Sequence, residues 1–309
     1  MTAHARSQEQ ILDKLGITTL NPMQLAAQEA IANIKDVVIL SPTGTGKTLA
    51  FLLPLLELLH SDITAVQALI LVPSRELAIQ IEQVARSMGS GYKINAVYGG
   101  RPFAKDKEDL QHLPTILVGT PGRVADHLRR GTFDTSSVNT LILDEFDKSL
   151  EVGFEGEMRE LINALPNIKK RILTSATQGI EIPAFARITK PKTLNFLEEK
   201  TNLLTVKRVV APTKDKLGTL EQLLCHVGDT SGIIFCNFKD TIQWVSDFLT
   251  EQGISHGCFY GGMEQRDRER SLIKFRNKTY NLLLATDLAA RGIDVPELSL
   301  LYASPSPRD

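Results

Sequence analysis

The sequence has little of three things that often decide what a protein does. It has only three cysteines, Cys225, Cys236 and Cys258. Their spacing matches no metal-ligand pattern, and an odd number makes no closed disulfide framework. Cys236 follows the apolar run Ile233-Ile234-Phe235 and reads as a buried reduced thiol, which fits a reducing cytoplasm. Excess charge is absent too: Lys+Arg 35 against Asp+Glu 36 leaves a formal net charge of -1. Bulk charge therefore gives no case for nucleic acid, and any such binding must come from a local groove. Long apolar runs are missing as well. The most apolar helical stretch, residues 49–59, carries Glu57 and falls short of the roughly twenty residues that span a bilayer. Residues 1–10 are polar and do not read as a signal peptide. The expectation is a soluble, cytoplasmic protein, monomeric by default.

What is present is a repeated alternation. Residues 37–40, 69–72, 116–118, 141–143 and 172–173 read as short buried strands. Residues 49–59, 76–88, 124–130 and 158–165 read as helices between them. Such alternation implies a parallel sheet covered on both faces. Pro54 should kink the first of these helices rather than end it. The pattern lapses from Leu194 to Thr205, and a second series follows. It has strands at 233–236, 282–285 and 298–302 and a helix at 241–251 stopped by Gly253. The reading is α/β, with a first domain over 1–197, a linker over 198–205 and a second domain over 206–309. The second supplies only a few β/α units and is expected to be incomplete.

Two segments carry chemistry. Ser41-Pro42-Thr43-Gly44-Thr45-Gly46-Lys47-Thr48 follows the apolar run Asp36-Val37-Val38-Ile39-Leu40. Gly44 and Gly46 let backbone N–H groups curl around an anion, and the next helix offers its N-terminus to the same phosphates. Lys47 adds a point charge for the β and γ phosphates, and Thr48 offers a hydroxyl to Mg²⁺. The strict motif asks for Gly where Ser41 stands. The second segment, Asp144-Glu145-Phe146-Asp147, follows Thr140-Leu141-Ile142-Leu143. Asp144 leaves a buried strand beside the phosphate loop and can hold Mg²⁺ through water. Glu145 can orient and deprotonate an attacking water.

That acidic quartet resembles the signature of the DEAD-box ATP-dependent RNA helicases, with Phe in place of Ala. An ordered series along the chain carries the resemblance. Gly16-Ile17 with Pro22 and Gln24 resembles the adenine-reading Q motif. Pro73-Ser74-Arg75-Glu76-Leu77-Ala78 resembles the first RNA-contact motif, and Gly99-Gly100 and Thr120-Pro121-Gly122-Arg123 the next two. Ser175-Ala176-Thr177 resembles the motif that couples hydrolysis to strand separation. In the second half, 233–237 resembles motif four, Gly262-Met263-Glu264-Gln265-Arg266-Asp267-Arg268 the motif after it, and 285–294 motif five.

The resemblance implies two RecA-like domains in tandem, ATP and Mg²⁺ as cofactors, and RNA, as a single strand or short duplex, as partner. It implies that Gln24, Ser41, Thr43, Gly44, Thr45, Gly46, Lys47, Thr48, Asp294 and Arg291 meet ATP. Thr48 and Asp144 would serve the metal. Glu145, Asp144, Lys47, Ser175 and Thr177 would carry hydrolysis and its coupling. Arg75, Gly100, Thr120, Arg123, Gln265, Arg268 and Thr286 would line the RNA path. Phe146 needs room that Ala does not, which puts the coupling between Asp147 and Ser175/Thr177 in question. The family's arginine-rich sixth motif would fall after Pro305, and Asp309 is reached first. On the resemblance the chain is a fragment or truncated variant that binds ATP and hydrolyses it slowly. Two rivals stay open: a DNA helicase or translocase, and an ATP-gated RNA clamp without turnover.

Overall fold

The computed structural model describes residues 6–178, 181–197, 207–211 and 216–286, with the backbone of 300–303. The chain divides into two compact units, Met1–Thr201 and Asn202–Asp309. In the first unit, α1 (Gln8–Leu15) and α2 (Pro22–Asn33) precede the sheet. The alternation then runs β1 (Asp36–Leu40), α3 (Lys47–Glu57), β2 (Ala68–Leu71), α4 (Arg75–Met88), β3 (Ile94–Val97) and α5 (Phe103–Asp109). It continues through β4 (Ile116–Gly119), α6 (Pro121–Arg129), β5 (Thr140–Leu143), α7 (Phe146–Glu151), α8 (Glu155–Asn163), β6 (Lys170–Ser175) and β7 (Lys192–Asn195).

All seven strands pair in parallel, in the order β3-β4-β2-β5-β6-β1-β7. Side chains alternate across the sheet with period two. Ala68 and Ile70 join the apolar cluster under α1 to α4, which also holds Val37, Ile39, Phe51 and Ile81. Leu69 and Leu71 join the cluster on the other face with Leu141, Leu143, Phe146 and Leu161. Both faces are therefore covered, as continuous apolar strands require. Helix α3 runs on past Pro54. The stretch from Leu194, expected to be irregular, begins instead with the end of β7, an edge strand with mostly exposed side chains. Its backbone pairing with β1, not apolar burial, holds it there.

In the second unit, α9 (Lys216–Val227), β8 (Gly232–Phe235), α10 (Lys239–Glu251), β9 (His256–Phe259), α11 (Gln265–Arg276), β10 (Leu282–Ala285) and β11 (Leu300–Ala303) follow. Its four-stranded sheet has the order β11-β8-β10-β9 and is parallel. Cys236 is buried among Leu220, Ile242 and Leu249, and burial pushes its thiol up to about 11. Among the described residues no helix is long and apolar enough to cross a membrane.

Candidate functional site

Strand order sorts the singled-out residues of the first unit into two groups. The C-terminal ends of β5, β6 and β1, which are neighbours, carry the acidic quartet, Ser175-Ala176-Thr177 and the phosphate loop. The ends of β3, β4 and β2, also neighbours, carry Gly99-Gly100, Thr120-Pro121-Gly122-Arg123 and Arg75. Both groups lie along one edge of one sheet, the edge where parallel α/β folds bind ligands.

The phosphate loop is tied down from several sides. Ser41 N–H donates to Ser175 O at 3.1 Å, joining the loop to β6. The hydroxyls of Ser41 and Thr45 lie 2.6 Å apart, and that of Thr45 donates to Pro42 O at 2.8 Å. Gly46 caps α3 with a φ of 85°. Lys47 Nζ is turned into the loop, donating to Ser41 O at 2.7 Å and Pro42 O at 3.1 Å. Burial holds its pKa below the usual lysine range, against the opposing pull of Asp144, Glu145 and Asp147. That pull shows the amine and the acids sharing one neighbourhood. Thr48 follows as the second residue of α3, and Thr43 and Gly44 are exposed at the loop tip.

Gln24 packs against this loop. It caps α2 with Asn21: Gln24 N–H donates to Asn21 Oδ1 at 2.9 Å, and Asn21 N–H donates to Gln24 Oε1 at 3.0 Å. The other end of the amide donates to Gly46 O at 3.3 Å, while Asn21 Nδ2 donates to Thr45 O at 3.0 Å. Asn21 is thus a second brace on the loop. Its Asn-x-x-Gln spacing is a capping-box signal.

The acids are pinned to β6 and to the turn that follows it. Thr174 Oγ1 donates to Asp144 Oδ1 and accepts the Glu145 N–H at 3.1 Å. Thr177 Oγ1 donates to Asp147 Oδ2 at 3.0 Å, and Thr177 N–H donates to Ser175 Oγ at 3.0 Å. Phe146 points the other way, 2% exposed in the core, so its bulk leaves the Asp147–Thr177 bond in place. Glu145 has a φ of 47°, the left-handed region that non-glycine residues avoid. Burial, then repulsion from Asp144, raises its carboxyl to about 7. Burial raises Asp144 as well. Thr174 was not among the expected site residues. The signal was a hydroxyl directly after the apolar pair Ile172-Leu173, buried with them in β6.

Among the described residues no three His, Cys, Asp or Glu side chains gather as a metal cage. A hard cation that takes one carboxylate, substrate phosphates and water fits this arrangement, and Mg²⁺ is such a cation. Asp144 and Thr48 are the protein groups that would hold it. The burial that raises Asp144 is relieved by a nearby positive charge.

On the other half of the edge, Gly99 approaches Arg75 closely, since a Cβ there would lie 3.5 Å from an Arg75 guanidinium nitrogen. Gly100 has a φ of 85°. Thr120 N–H donates to Val97 O at 3.2 Å, and Thr120 caps α6. Arg123, expected on the RNA path, is 12% exposed and held by Asp106 at 2.7 Å. The reason is that Asp106, fully buried, needs a cation. In the second unit, Gln265 opens α11 and donates to Glu269 at 2.9 Å. Arg268 lies over the Phe259 ring at 4.6 Å. Thr286 follows β10, its N–H donating to Phe259 O at 3.3 Å. Arg268 and Thr286 thus meet at Phe259, the last residue of β9. Arg291 and Asp294 lie outside the described residues.

Known proteins are similar to this chain in sequence and fold. Residues 21–184 match the DEAD/DEAH box helicase family, and residues 215–308 match the helicase conserved C-terminal domain. The chain is 38% identical over 296 residues to the ATP-dependent RNA helicase DbpA of Escherichia coli, covering 94% of this chain and 65% of that protein. It covers 62% of DbpA from Bacillus subtilis, so it spans less than two thirds of both. It is 36% identical over 299 residues to the ATP-dependent RNA helicase eIF4A of Mycosarcoma maydis, covering 93% of this chain and 73% of that protein. The structure of S. cerevisiae Dbp5 bound to RNA and ADP BeF3 superposes with a TM-score of 0.80 at 26% identity, over 96% of this chain and 78% of that one. Family match, shared length and edge geometry agree: the chain belongs to the DEAD/DEAH box helicases.

Proposed function

We infer that this chain is an RNA-stimulated ATPase that separates short RNA duplexes locally. One observation carries the reading: the phosphate-loop half and the Arg75, Gly100 and Arg123 half occupy adjacent strand ends of the same sheet edge. A nucleotide on one half and a sugar–phosphate chain on the other would share the rigid sheet. The relatives named as ATP-dependent RNA helicases support the same reading.

The roles follow from the chemistry of each group. The Gln24 amide, with Oε1 accepting from Asn21 N–H and Nε2 donating to Gly46 O, keeps one further lone pair and one further N–H for the adenine N6 and N7 edge. The loop from Ser41 to Thr48, with Thr43 and Gly44 at its tip, cradles phosphates with backbone N–H groups, and Lys47 neutralises the β and γ oxygens. Bound Mg²⁺, held by Asp144 and Thr48, would polarise the phosphate oxygens. Glu145 accepts the proton of the attacking water, and a pKa of about 7 suits a base at neutral pH. Ser175 and Thr177 couple this chemistry to Asp147. Arg75, Gly100, Thr120, Arg123, Gln265, Arg268 and Thr286 meet the RNA backbone, which gives little sequence preference.

The test is phosphate release with and without single-stranded RNA, compared with single-stranded DNA. Turnover is expected to rise with RNA, less with DNA, and to vanish in Lys47→Ala. RNA binding that requires ATP without phosphate release would favour the clamp instead. Equal stimulation by DNA would favour a DNA translocase.

A further inference from the structure

One carboxylate sits at the centre of the half that carries Gly100 and Arg123. Asp106, on α5, is 0% exposed and belongs to none of the family motifs. A buried carboxylate is tolerated when positive or hydrogen-bonding groups surround it. Here three basic side chains do. Arg123 Nε donates to Asp106 Oδ2 at 2.7 Å, and His127 Nε2 lies 3.2 Å from the same oxygen. Arg101 Nη1 lies 3.3 Å from Oδ1. On its far side His127 Nδ1 meets Thr132 Oγ1 at 2.9 Å, and its ring stacks on Phe103 with centroids 4.5 Å apart. The guanidinium of Arg123 stands over that same Phe103 ring, 5.1 Å from its centroid.

This network fixes the direction of Arg123. A guanidinium is a planar fork, so holding two of its nitrogens sets where the third points. Asp106 holds Nε, the Arg101 carbonyl accepts from Nη2 at 2.8 Å, and Nη1 is turned toward the half-exposed rim, 3.7 Å from Asp126 Oδ2. The same contacts join the loop after β3, which holds Gly100, to the first turn of α6, which holds Arg123. Without Asp106, Arg101, Arg123 and His127 would crowd together with no buried anion between them.

We propose that Asp106 is a positioning residue for RNA binding. Its buried carboxylate aims Arg123 and locks residues 99–101 against α6, so that Gly100, Thr120 and Arg123 form one preset surface for a sugar–phosphate backbone. The proposal rests on the RNA reading above. Asp106 itself does not touch RNA. It removes the ordering that binding would otherwise have to supply.

The experiment compares the wild-type chain with Asp106→Asn, which keeps size and removes charge. Binding of a fluorescein-labelled single-stranded oligouridylate is read by anisotropy, and binding of a fluorescent N-methylanthraniloyl ATP by titration. Asp106→Asn is expected to weaken RNA binding about tenfold, the loss of one well-aimed phosphate contact. The KM for RNA rises by a similar factor, while nucleotide affinity and kcat at saturating RNA stay within about twofold. RNA affinity equal to wild type overturns the proposal, as does a parallel loss of RNA and nucleotide binding, which marks general damage. Should Asp106→Asn unfold at the assay temperature, Asp106→Glu keeps the charge and shifts it by one methylene. The same RNA-only defect is expected there, and wild-type RNA affinity overturns the proposal. A wild-type chain that binds no RNA removes the RNA reading itself, whereas equal binding by wild type and variant removes only the role of Asp106.

Discussion

Replacing Glu145 by Gln is expected to stabilise the metal-free, nucleotide-free protein above neutral pH while ending turnover. Burial and the neighbouring Asp144 raise this carboxyl from its ordinary 4.5 to about 7. The folded state therefore binds the proton more tightly than the unfolded chain does. Stability from this group is full below pH 4.5 and is lost as pH rises through about 7. At about 1.36 kcal/mol per pH unit the full loss is about 3 kcal/mol, and partial solvent access reduces it to about 2 kcal/mol. Gln carries no such proton, so the penalty disappears in Glu145→Gln. The left-handed backbone at this position is common to both side chains and cancels. For a unit the size of Met1–Thr201, about 2 kcal/mol corresponds to roughly 4–8 °C in melting temperature. Calorimetry in EDTA should show that gain at about pH 8, closing to within about 1 °C near pH 4. A difference independent of pH, or a variant less stable than wild type at about pH 8, would refute the reasoning.

Two further outcomes follow from the same half of the edge. Phe146→Ala restores the residue expected from the family signature, yet it should lower unfolding stability by about 3–5 kcal/mol in urea titrations, because the ring is 2% exposed in the core. A loss under about 1 kcal/mol would mean the ring is not packed as described. Gly46→Ala should weaken nucleotide binding about tenfold: the φ of 85° strains any Cβ, and that Cβ would meet Gln24 Nε2 at 2.6 Å. In a Gln24→Ala background the collision vanishes. The two substitutions should therefore couple by about 1 kcal/mol, and strict additivity would contradict the contact.

Much of the first unit was legible because its strands are unbroken apolar runs. β2, β4 and β5 are Val-, Ile- and Leu-rich, buried on both faces, and need no context to read. The strands that went unread have weak patterns. β3 contains Asn95, β9 contains His256 and Gly257, and the side chains of β7 are mostly exposed. Their pairing comes from backbone hydrogen bonds to a neighbour, which leaves no mark in the local sequence. α1 and α2 did leave one, in the boxes Ser7–Gln10 and Asn21–Gln24. The phosphate-loop half of the candidate site was legible because backbone geometry ties its residues to fixed short spacings. Asp106 was not, because its partners Arg123 and His127 lie 17 and 21 residues away, and only the pairing of β3 with β4 brings them together.

The arrangement around Glu145 also says where the edge can give. Asp144 is tied to β6 through Thr174, Asp147 to the turn after β6 through Thr177, and Phe146 between them is anchored in the core. A close-packed ring does not move without disturbing its neighbours. A displacement of residues 175–177 pulls on Asp147 at one end of this short segment, while Thr174 holds the other. Phe146 resists in the middle. The freedom left is rotation about the Glu145 backbone, which already sits in a sparsely populated conformation. Small shifts of the Ser175–Thr177 turn are thus concentrated on Glu145, the residue that the proposed function assigns to the attacking water. Hydroxyl-to-carboxylate ties of this kind make the coupling directional. They also explain why bulk at position 146, aimed at the core, leaves it standing.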